Sequence, residues 1–143
     1  MNFLVAYDGS EGSRAALREA ATLATASQAT VEVVRLLDPR ADATHVVADT
    51  TTAAVAQVVQ EWTAELERDL AGLGVQATGS VVVIDRGEDI PDAIVRVARE
   101  RGAQIIVISS RRASGFRGLV LGSVTQHVLR LAPCPVLVVQ PPD

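Results

Sequence analysis

The sequence predicts an α/β fold, an open parallel sheet with helices on both faces, and three observations carry that prediction. Short apolar runs alternate with longer helical patterns along the whole chain. The runs carry apolar residues on both faces rather than at every second position, as strands covered on both sides do. Gly, Asp and Pro punctuate boundaries, as in Asp8-Gly9-Ser10, Asp38-Pro39 and Asp85-Arg86-Gly87. At 143 residues and 15.0 kDa one domain with a substantial core accounts for the length, with no repeat, linker or low-complexity tract to divide it.

The first strand is expected over Met1 to Tyr7, where Phe3-Leu4-Val5-Ala6-Tyr7 leads into Asp8-Gly9-Ser10. Ser10 suits a helix N-cap, and Arg14 to Ser27 follows as an Ala-rich helix with Leu17, Ala20, Ala21 and Ala24 on one stripe. Thr30 to Leu37 is a second strand, closed by Asp38-Pro39. Residues 38–50 show no period and read as a loop. Thr51 to Leu70 is helical, with Val55, Val58, Val59, Trp62 and Leu66 on its apolar side, and Gly72 and Gly74 end it.

Val75 to Ile84 is the third strand, turned by Asp85-Arg86-Gly87. Pro91 fits the first turn of a helix reaching Arg101, where Gly102 stops it. Gln104 to Ile108 is the fourth strand. Ser109 to Gly122 is a long connection, Ser123 to Leu131 the last helix, and Val136 to Val139 the last strand, after Pro133-Cys134-Pro135.

Composition excludes several functions. The net charge of −4 and pI near 5.1 argue against a nucleic-acid binder, which carries a basic excess. All 13 basic residues are Arg, so a Walker-type phosphate loop, a Schiff base and a receiver-domain switch each lack their Lys, although Asp85 stands where a phospho-acceptor would. The single cysteine, Cys134, makes no internal disulfide and reads as a small buried filler. His45 and His127 stand without ligand-spaced neighbours and read as exposed, so no metal site is expected. No signal peptide and no membrane span is recognised, and the expected location is the cytoplasm.

In an open α/β sheet the ligand site lies beyond the carboxyl ends of the strands, where their order reverses. If strands one and four flank that point, Asp8, the 109–122 loop and the helix opening at Ser123 converge. A helix N-terminus offers free amides and partial positive charge to a phosphate, and Gly122 permits close approach. Asp8 has two compatible roles, as acceptor for a ligand hydroxyl and as cap of the Gly9-Ser10 turn.

Asp8-Gly9-Ser10, Gly122-Ser123-Val124 and the run from Val128 to Val139 resemble the universal stress protein family over essentially the whole chain, and the C-terminal run is the most specific part. The resemblance implies a five-stranded parallel sheet of order 3-2-1-4-5. It also implies an adenine-nucleotide site with Ala6 and Asp8 near the ribose, Leu36 at the adenine, and Ile108 and Val124 lining it. Many members bind ATP through a loop G-x-x-G-x9-G-[ST]. Here Ser109 and Arg112 occupy the first two glycine positions, Gly122-Ser123 is retained, and Gly115 matches a further loop glycine.

An arginine where the backbone should meet a phosphate adds a Cβ and a long side chain. If the position needs left-handed geometry, the strain is about 1–2 kcal/mol. The expectation is a non-enzymatic stress-response or signalling module whose binding of ATP, with or without Mg, is weak or lost. An alternative is an ATP binder whose Arg111, Arg112 and Arg117 side chains fork onto the phosphates; their bland reading is as solvated loop residues. A third is a nucleotide-hydrolysing or nucleotidyl-transferring enzyme on the same fold. The latter would want a His-rich motif where this chain has Asp8-Gly9-Ser10-Glu11, and no catalytic residue is assigned. Ser114, after Arg111-Arg112-Ala113, fits a basic-directed phosphorylation pattern of a kind that arises by chance. The apolar last strand, Val136 to Val139, is expected at a sheet edge pairing with a second copy, as family members commonly do, beside an unidentified protein partner.

Overall fold

A computed structural model describes residues 1–41, 52–85, 87–110 and 121–141. Among them run β1 (Asn2–Tyr7), α1 (Glu11–Ser27), β2 (Thr30–Leu37), α2 (Thr52–Leu70), β3 (Ala77–Val83), α3 (Ile90–Glu100), β4 (Ile105–Ser109), α4 (Ser123–Leu131) and β5 (Val136–Val139). The strands form one sheet in the order β3-β2-β1-β4-β5, every pair parallel. Fold class and strand order agree with the sequence reading.

The two sheet faces bury different sets of residues. Phe3, Val5, Tyr7, Val31, Val33 and Val107 face Ala16, Leu17, Ala20 and Ala24 of α1 and Leu66 of α2. Leu4, Val34, Leu36, Ile106 and Ile108 face Ala93, Ile94, Val97 and Ala98 of α3 and Val128 of α4. The small alanines let the helices lie close on the sheet. α2 lies close on β3, where a Cβ on Gly79 would sit 2.7 Å from Leu66 Cδ2.

Local chemistry explains the helix ends. Ser10 caps α1 by accepting from the Ser13 amide at 3.1 Å, and Asp89 caps α3 through the Asp92 amide at 3.0 Å with Pro91 in the first turn. Because Ser10 is the cap, α1 begins at Glu11, earlier than its apolar stripe indicates. It ends on Gln28, left-handed at φ 55°, without the usual glycine. The expectation that every strand is apolar on both faces fails at β3, an edge strand whose Thr78, Gly79 and Val83 are exposed.

Candidate functional site

The strand order reverses at β1, whose partners are β2 and β4, and a cavity of about 810 Å³ opens over the carboxyl ends of these strands. Of the expected site residues, Ala6, Asp8, Leu36, Ile108, Ser109, Gly122, Ser123 and Val124 all line it. Arg112 and Gly115 lie outside the described residues, as do Arg111, Ser114, Arg117 and His45.

One wall is apolar. Ile90 and Ile94 of α3 join Leu36, Ile108 and Val124 in a slot that suits a flat, weakly polar ring. Asp8 stands at the end of β1, where its Oδ1 accepts the Ser10 amide at 2.9 Å, so the capping role is realised. Gly122 is the N-cap of α4 and has no side chain to accept from the first helical amides. Thr125 ties this helix to β4, its hydroxyl donating to the Ser109 carbonyl at 3.2 Å. Ser109 also packs toward α1, because Gly12 has no Cβ; one would lie 3.1 Å from Ser109 Oγ.

The opposite wall holds Tyr7, Arg35 and Trp62, and sequence reasoning assigned none of them a site role. Trp62 was expected as core; it lies half-buried with the Arg35 guanidinium 3.7 Å from its ring centroid. Arg35 Nη1 donates to Glu65 at 3.1 Å. Glu65 in turn accepts from Arg14 at 3.4 Å, Arg14 donates to Asp69 at 3.1 Å, and Asp69 accepts the Tyr7 hydroxyl. α2 supplies Trp62, Glu65 and Asp69 from one face, at spacings of three and four residues. Burial, then the Asp69 hydrogen bond, pushes the Tyr7 phenol up to about 12, because the phenolate would lose water and face a carboxylate.

Among the described residues, Arg35 Nε and Ser110 Oγ are buried without a hydrogen-bond partner, a state that costs about 1–3 kcal/mol for each atom. Both residues line the cavity. The signal for Arg35 was present in the sequence: it is the charged residue inside the run Val33-Val34-Arg35-Leu36-Leu37, near the end of a buried strand.

Asp38 closes β2 at the cavity rim. Its carboxyl is held below the usual range first by hydrogen bonds from the Arg40 guanidinium, which reach it at 3.0 and 3.1 Å. Arg40 also donates to the Glu88 carbonyl at 3.0 Å, joining the end of β2 to the approach to α3. Glu88 takes two hydrogen bonds from Arg96 at 2.8 and 2.9 Å, which lower its carboxyl as well.

Outside the cavity two expectations change. His127 is not a solitary exposed histidine; its Nε2 lies 2.8 Å from Asp92 Oδ1. With Asp89, these side chains bring three potential ligand atoms within 4.8 Å of one another, a grouping that sequence spacing could not reveal. The His127–Asp92 hydrogen bond already accounts for the approach, and Asp89 is committed as the α3 cap. Cys134 is only partly buried, and that burial raises its thiol. Asp85 is exposed and does not line the cavity.

The family model of the universal stress protein family matches residues 1–140. The chain belongs to the universal stress protein family. The universal stress protein YxiE of Bacillus subtilis is 30% identical, with 96% of this chain and 97% of that protein covered. Among solved structures, the universal stress protein of Archaeoglobus fulgidus in complex with dAMP has a TM-score of 0.70 at 27% identity, covering 96% of both chains. A universal stress protein in complex with cAMP gives 0.66 at 25%, with 99% of this chain and 98% of that one covered. The relatives are named as stress proteins, not as enzymes. No helix among the described residues is long and apolar enough to cross a membrane.

Proposed function

We propose that this universal stress protein is a non-enzymatic signalling module that reads an adenine nucleotide mainly through its nucleoside and first phosphate. The observation that carries the reading is the convergence of Ala6, Asp8, Leu36, Ile108, Ser109, Gly122, Ser123 and Val124 on one cavity at the strand-order reversal. Leu36, Ile90, Ile94, Ile108 and Val124 take the base, and Asp8 accepts from a ribose hydroxyl. The amides opening α4 take the first phosphate, at the sole part of the family loop retained here besides Gly115. Ser109 and Arg112 replace the glycines that would bring backbone amides to the outer phosphates, so Mg-ATP binds weakly or not at all. The dAMP and cAMP held by the two similar structures support a monophosphate ligand.

The test is calorimetric titration with AMP and with Mg-ATP, on the wild type and on Ser109→Gly/Arg112→Gly. The expected result is AMP binding by both proteins, with Mg-ATP gaining about tenfold or more only in the variant. Wild-type Mg-ATP binding much tighter than AMP binding favours the arginine side chains as phosphate ligands and overturns the degraded-loop reading.

The assembly proposed with this function is a cytoplasmic homodimer through β5. That strand is the sheet edge, and its Val136, Leu137, Val138 and Val139 are all incompletely buried, which invites pairing. A monomer from Val138→Glu is the expected result on sizing; a persistent dimer puts the interface elsewhere.

A further inference from the structure

A Cβ built on Gly9 would lie 3.1 Å from Arg35 Nη2 and 3.2 Å from both Cζ and Nη1. Nearly equal distances to those three atoms put the place that a Gly9 side chain would take over the flat of the guanidinium, not beside its edge. The Trp62 ring centroid lies 3.7 Å from the same Cζ. The guanidinium therefore lies close both to the indole and to the open side of Gly9. Glu65 holds Nη1 at 3.1 Å and keeps the plane from turning.

We propose that Arg35 is a positioning residue for the cavity: clamped against Trp62 of α2, its guanidinium is the floor on which the turn Asp8-Gly9-Ser10 rests. Gly9 sits at φ +82°, a conformation an L side chain rarely adopts, and the floor fills the space its side chain would need. The turn above presents Asp8 and Ser10 to the cavity. Three distant stretches of chain are thereby joined, and α2 governs the geometry of a turn on the neighbouring strand. A flat cation is required. Lysine keeps the charge but has no flat face to offer either neighbour, whereas phenylalanine at position 62 keeps a face for the stack.

The effect on a nucleotide rests on the function proposed above, so the test has a readout that needs no ligand. In the wild type the Gly9 and Ser10 amides are expected near the ordered-backbone order parameter of about 0.85 by nitrogen-15 relaxation. In Arg35→Met and Arg35→Lys they fall toward about 0.6, while amides of β1 hold their values. Trp62→Phe stays near wild type. A side chain that served stability alone would lower the melting temperature without this local loosening. Unchanged Gly9 and Ser10 values in folded Arg35→Met overturn the proposal, as do wild-type values already near 0.6. Should Arg35→Met not fold, Trp62→Leu takes its place with the same expected fall and the same overturning result.

AMP titration of the same proteins separates the two readings. AMP binding about tenfold weaker in Arg35→Met than in wild type supports positioning, and equal affinity overturns it while leaving the nucleotide site intact. No AMP binding by wild type overturns the nucleotide reading and leaves the relaxation result to decide the role of Arg35.

Discussion

Leu36, Ile90, Ile94, Ile108 and Val124 wall the cavity on its α3/α4 side, whereas Tyr7, Arg35 and Trp62 wall it toward α2. The first wall continues the hydrophobic core and owes its order to close packing, which tolerates exchanges of similar volume. The second is held by a chain of charged and polar groups, Arg35–Glu65–Arg14–Asp69–Tyr7, in which every member depends on its neighbour's geometry. An apolar wall accepts any ring of suitable shape. A wall built from a stacked guanidinium fixes backbone, and so fixes where the polar groups of the site stand.

The apolar wall carries the largest expected effect. Ile108 is 5% exposed, and Ile108→Ala is expected to cost about 2–4 kcal/mol of unfolding free energy in urea. A loss under about 1 kcal/mol would mean that the wall is not packed as core. In the charged wall, Glu65→Gln withdraws the counter-charge from Arg35 and Arg14. The Glu65 side chain is 32% exposed, so solvent screens part of the effect and the expected cost is about 1–2 kcal/mol. That cost should shrink in high salt; a salt-independent loss points to packing instead.

Tyr7→Phe should cost about 1 kcal/mol or less, because Asp69 keeps its bond to Arg14. Its sharper signature is alkaline. The folded phenol stands near 12 against an ordinary value of 10.0, so the folded state favours the protonated form. The stability gained is whole below pH 10 and drains as pH rises from 10 toward 12. Tyr7 is the sole tyrosine, so phenolate absorbance reads it alone, and a midpoint near 10 would sink the account. The smallest effect belongs to Arg18→Ala, whose pair with Glu11 has side chains 56% and 67% exposed. A change within about 0.5 kcal/mol is expected by thermal melting.

The fold was legible because strands such as Phe3-Leu4-Val5-Ala6-Tyr7 are apolar on both faces. β2, α4 and β5 have the bounds expected from residue pattern. Eight of the residues that line the cavity were legible through the family resemblance, on strand ends and a helix start. The charged wall was not. Periodicity places Trp62 on the inward face of α2, but it cannot say that the facing residue is an arginine from β2. The His127–Asp92 contact escaped for the same reason: a helix pattern reports its own face and not what another helix brings to it.

The pairing at the reversal point has a consequence in time. β1 meets β2 after roughly thirty residues of chain, since Phe3 pairs with Val31. It meets β4 only after roughly a hundred, since Phe3 also pairs with Ile105. Closing the longer loop costs about 1 kcal/mol more entropy, and pairings so far apart in sequence form slowly. A chain emerging from the ribosome can therefore lay down β1, β2 and β3 with half a cavity wall, Arg35 included. The other half arrives with β4 and α4, so a competent pocket reports that the whole fold has been completed.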